Sequence, residues 1–90
     1  MCTSISGQIP TSGSAKGATG WFSLANITVG YDHPAHLHDN HAILLDFVNP
    51  DLGPSARVAV ELSADSAREL IAALENTLAK GDAYEATVSR

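Results

Sequence analysis

The chain has 90 residues, enough for one small domain, and its 44% hydrophobic and 17% charged content is that of a globular protein rather than a disordered one. A formal net charge of −5, with the basic residues scattered as Lys16, Arg57, Arg68, Lys80 and Arg90, excludes the clustered cations that a nucleic-acid backbone needs. One cysteine excludes an internal disulfide, and no apolar run has the length of a membrane span.

The opening stretch, MCTSISGQIPTSG, lacks the basic start and apolar core of a signal peptide, so a cytoplasmic protein is expected. Loss of Met1 would leave Cys2 as a terminal amine and thiol able to chelate or attack; a small half-buried strand residue is its plainer role. CTSISGQI alternates weakly and reads as a first strand. Residues 10–20, PTSGSAKGATG, are built from glycine, serine, threonine, proline and alanine around Lys16 and read as a long loop, more mobile than the strands. Their composition is that of a phosphate-cradling loop, without the order of one. Lys16 is the lone cation of this half and is expected to point at the histidine segment as an anion clamp. WFSLANITVGY, residues 21–31, has the aromatic and β-branched content of a single strand, with Trp21 and Phe22 in the core.

All four histidines, His33, His36, His38 and His41, then fall within DHPAHLHDNHA. Imidazole is the commonest protein ligand of zinc, copper and nickel, and the four lie close enough in sequence to converge on one ion. Pro34 disfavours a helix at this point, and an extended chain sets His36 and His38 on one face with His41 on the other. Asp32 and Asp39 suit turn positions or hydrogen bonds to ligand rings. The competing reading is a polar surface loop, since the spacing matches no established zinc pattern.

HAILLDFVNP and SARVAVEL read as two strands joined by NPDLGP. Setting Val48 opposite Ser55 places Asp46 against Arg57, Leu44 against Ala59 and Ala42 against Glu61 on one face. The other face then holds His41, Ile43, Leu45 and Phe47 against Leu62, Val60, Val58 and Ala56, and is almost purely apolar. SADSARELIAALENTLAKG predicts a helix capped by Ser63, favoured by Asp65 in its first turn and stopped by Lys80 and Gly81. Ala67, Leu70, Ile71, Leu74 and Leu78 make its apolar stripe, which should cover the apolar sheet face. Residues 82–90 are either a loose tail or a strand over Tyr84 to Val88. The expected fold is therefore α+β in a single domain, 1–90: a four-stranded antiparallel sheet, or five-stranded with that tail, and one C-terminal helix on one face. The uncovered face around Leu44 and Ala59 is the expected surface for a homodimer or higher oligomer.

MCTSI, GATGWF, DHP, NPDLGPSARVAVEL and SAREL together resemble, over nearly the whole chain, an uncharacterised family of small, mainly actinobacterial proteins of unknown function. The resemblance brings no activity. It implies histidine at the positions of His33, His36 and His41 and not at that of His38, which becomes a neighbour of the ion rather than a ligand.

The functional expectation is an oligomeric metalloenzyme: a hydrolase, lyase or isomerase acting on a small anionic molecule. His33, His36 and His41 would hold one divalent metal, zinc first, with copper, nickel or iron as alternatives. Three ligands leave a position for an activated water, and Lys16 and His38 are the catalytic candidates beside it. The alternative is a metal-free ligand-binding or accessory dimer. On the metal reading, alanine at any one of the three ligands costs metal affinity and activity far more than alanine at His38, as elemental analysis and assay of each variant would measure.

Overall fold

A computed structural model describes residues 3–88, and Cys2 lies outside them. Six strands precede one helix: β1 (Ile5–Pro10), β2 (Ser14–Gly17), β3 (Gly20–Ser23), β4 (Asn26–Asp32), β5 (Ala42–Val48), β6 (Arg57–Leu62) and α1 (Ala64–Val88). β1, β4, β5 and β6 form a four-stranded antiparallel sheet in that spatial order, while β2 and β3 pair as a separate hairpin. The expected α+β fold, four antiparallel strands and a C-terminal helix, is the fold observed.

Three local expectations are corrected. Residues 10–20 are not a structureless loop, because Ser14–Gly17 pairs with Gly20–Ser23. Gly20 takes a φ of 123°, which closes this hairpin and which side chains rarely tolerate. At Gly17 a Cβ would be a tight fit, 3.0 Å from both the Phe22 ring and the Ser55 carbonyl oxygen, which shows how closely the hairpin packs on the β5–β6 connection. The expected strand over 21–31 is correspondingly two strands. Across Leu24 and Ala25 the backbone bonds pass from one sheet to the other, Leu24 N–H donating to Gly13 and Ala25 N–H to Val48. Trp21, expected in the core, is 70% exposed on the outer face of this hairpin.

The β5–β6 register is the second correction. Val48 pairs with Arg57 and Ile43 with Leu62, so every partner lies two residues from its expected place. The connection causes this. Asn49 N–H donates to the Ala56 carbonyl and adds a rung, its side chain accepts from Asp51 N–H, and a 3-10 turn at Pro50–Leu52 carries the reversal. A shift of two preserves side-chain parity, so both faces keep their expected character. Asp46 now faces Ala59, yet Arg57 reaches it diagonally, with Nη2 at 2.7 Å and Nε at 2.8 Å from Oδ1.

The third correction is the helix end. Ser63 caps the start as expected, its Oγ accepting from Ser66 N–H, but α1 runs through Gly81 to Val88. The tail over Tyr84 to Val88 is therefore neither loose nor a strand. Ala67, Leu70 and Ile71 meet Val29, Ile43, Leu45 and Leu62 around a cleft of about 170 Å³. Farther along, Leu74 and Leu78 remain 54% and 65% exposed. Among the described residues only Ala42 and Ala56 are buried hydrophobics.

The Asp46–Arg57 pair is substantially solvated, so it should contribute little. A double-mutant cycle with alanine at both positions is expected to return a coupling of about 0.2–1 kcal/mol in thermal or urea unfolding, shrinking as salt is added.

Candidate functional site

The β4–β5 ladder ends at the Asp32–Ala42 pair. One more pairing step from Tyr31–Ile43 through that rung brings His33 opposite His41, on the side of the sheet that carries the helix. The two imidazoles stack with centroids 4.7 Å apart and planes inclined at 27°. Tyr31 stacks on His41 at 5.4 Å and 17°, so three rings form a row at one end of the sheet. His33 Nδ1 lies 2.7 Å from the Asn40 carbonyl oxygen. A carbonyl only accepts, so Nδ1 carries a proton in this contact.

Asp32 fixes the entrance to the segment. Its Oδ1 accepts from His33 N–H at 2.8 Å, and the Thr3 hydroxyl bonds the Tyr31 carbonyl on the neighbouring strand. The His33 amide holds the Asp32 carboxyl below its ordinary range against the opposing effect of desolvation; the Thr3 amide and the charge of His33 add to the lowering.

The middle of the segment is held from the other side. Glu61 of β6 points away from the helix, and its carboxylate accepts from Ala35 N–H at 2.5 Å, His36 N–H at 2.9 Å and Leu37 N–H at 3.1 Å. Three successive amides aimed at one carboxylate form an anion nest. The Ala35 bond is the main reason the Glu61 carboxyl lies below its ordinary value. Desolvation opposes it, and the His36 and Leu37 amides and the His36 charge reinforce it. His36, Leu37, Ala59 and Glu61 line a shallow groove of about 370 Å³ on this face.

The expected metal ligands are thus divided. His33 and His41 come together on the helix side, whereas His36 is tied to Glu61 across the end of the sheet. Among the described residues no three histidine, cysteine, aspartate or glutamate side chains are grouped to hold a metal ion. His38 is exposed within the loop. Lys16, the expected anion clamp, is exposed in β2 opposite Trp21, at the sheet end near Ser55. The length of β5, roughly 20 Å at the usual rise per residue, separates that end from His41. Glu61 was missed by sequence reasoning, which set it opposite Ala42 and gave it no partner in the loop. The one signal was a carboxylate interrupting the end of an apolar strand.

The chain belongs to the family of unknown function DUF6295, whose model matches residues 1–88. No curated protein and no solved structure matches it. No helix among the described residues is long and apolar enough to cross a membrane.

Glu61 makes the loop acid-sensitive in a definite direction. Because folding lowers its pKa, the stabilisation is fully present above the ordinary value of 4.5 and is lost as pH falls through the lower folded value. The amide resonances of Ala35, His36 and Leu37 are expected to shift together below pH 4.5. In Glu61→Gln the same amides should lose hydrogen-exchange protection at neutral pH.

Proposed function

We propose that this member of a family without assigned chemistry is a cytoplasmic ligand-binding or accessory protein whose ligand docks on the Tyr31–His41–His33 row. The observation that supports this reading is the stack itself: three polar-tipped rings on the apolar side of a sheet, with His33 exposed at its outer end. Such a row offers a flat surface for a planar molecule, and imidazole nitrogens for an acceptor or donor at its rim. The stacking also argues against chelation, because near-parallel rings direct their nitrogen lone pairs alongside one another rather than to a common point. The ligand class that fits is a small planar molecule bearing a carboxylate or carbonyl.

The metal-dependent enzyme reading makes a different structural demand. On that reading the His36 ring has to leave the groove it lines with Leu37, Ala59 and Glu61 and join His33 and His41 on the helix side. One set of measurements separates the two readings: elemental analysis of protein purified without a histidine tag, and a ligand-observed NMR screen of planar carboxylates. The expected result is substoichiometric metal, with hits whose signals weaken in His33→Ala and His41→Ala but persist in His38→Ala. One equivalent of zinc per chain, lost equally in His33→Ala, His36→Ala and His41→Ala, would establish the metalloprotein instead.

A further inference from the structure

The chain exposes far more surface than its mass warrants. Its accessible area is 6685 Å², against about 5,000 Å² for a folded monomer of 9.4 kDa. Its radius of gyration is 15.7 Å, where a compact domain of this length has about 12 Å. The excess of roughly 1,700 Å² exceeds the 800 Å² or so that each partner buries in a standard interface and lies in the range of obligate homodimers.

Many of the exposed large apolar side chains lie in two places. One is the helix side of the sheet beyond the reach of α1, where Ile5 and Ile9 of β1 are 59% and 52% exposed beside their β4 partners Tyr31 and Ile27. The other is the stripe of α1 past Ile71, where Leu74, Leu78 and Val88 are all more than half exposed. Each surface lacks what the other supplies. The helix past Ile71 is about 25 Å long, close to the 20–23 Å of a six- or seven-residue strand.

From this we infer that two copies of the chain form a twofold dimer in which the distal half of each helix lies on the uncovered apolar sheet face of the other. The interface is isologous, so it closes on itself and leaves neither apolar surface in water. The occupant is a second copy rather than a lipid surface, because α1 carries Asp65, Glu69, Glu75, Asp82 and Glu85 against only Arg68 and Lys80. An acidic helix is repelled by anionic lipid. The inference places self-association opposite the Leu44–Ala59 face expected from the sequence, where Asp46, Arg57 and Glu61 keep the surface polar. It is argued from other observations than the ligand reading, although Tyr31 belongs to both surfaces.

The test uses the full chain. Light scattering after size exclusion is expected to give twice 9.4 kDa, with a melting temperature that rises with protein concentration. Leu78→Glu should raise the dimer dissociation constant about 100-fold or more, while Leu52→Glu, in the exposed β5–β6 connection, should leave it unchanged. Should Leu78→Glu fail to fold, a photo-crosslinker at position 78 in mixed isotope-labelled protein decides the matter. Adducts on β1 or β4 of the other copy support the dimer, and adducts on the other copy's helix overturn it. A monomer with a concentration-independent melt, a dimer unmoved by Leu78→Glu, or binding to phosphatidylcholine–phosphatidylglycerol vesicles in place of dimerisation would each overturn it as well.

Discussion

The two-residue alternation of β5, held between β4 and β6, is the constraint on which the other features rest. It sends Ile43, Leu45 and Phe47 to one side and Leu44 and Asp46 to the other, and the antiparallel ladders impose the same sorting on both neighbours. Continued one step past the strand, the same parity decides that His41 belongs with the apolar side and meets His33. On β6 it decides that Glu61 faces the opposite way. The polar chemistry at this end of the sheet is thereby divided between two faces before any loop conformation is chosen.

Glu61 then completes the division. A carboxylate that accepts from three consecutive amides prefers its ionised form, and the amides in turn gain a partner that solvent would otherwise supply. The loop is therefore pinned at its centre by a long-range contact and at its entrance by a local one, Asp32 to His33. Between those pins the imidazoles have little freedom to choose their company. Stacking of His33 on His41, with His33 Nδ1 held at the Asn40 carbonyl, is what remains to them.

Features encoded in local pattern were legible in the sequence: the alternation of β5 and β6, the Ser63 cap, the apolar stripe of the helix and the Asp46–Arg57 attraction. Features that depend on a distant partner were not. The glycine and serine content of residues 10–20 describes a flexible chain, whereas the segment pairs as a hairpin and packs beside Ser55. The register of β5 and β6 depended on an extra Asn49–Ala56 rung that the proline-rich connection does not advertise. Gly81 looks like a stop because its helix propensity is poor, yet a penalty of about 1 kcal/mol spread over so long a helix does not end it. The histidines were close in sequence, and closeness suggested convergence. Their actual arrangement follows from Glu61, which lies 25 residues beyond His36.

The β2–β3 hairpin has a topological consequence of its own. The chain leaves β1 at Pro10 and rejoins the sheet at Asn26, and these two residues are partners on one rung. Thr11 N–H donates to the Ala25 carbonyl just outside it, so both ends of the excursion are already joined when the main sheet forms. Closing such a loop costs little additional chain entropy whatever its length, since entropy rises only with the logarithm of the residues enclosed. The four-stranded sheet is thus connected as a simple meander that can form without the hairpin. Lengthening, shortening or recomposing the stretch between Thr11 and Ala25 alters what covers the Ser55 end of the protein and leaves the path of every other strand unchanged.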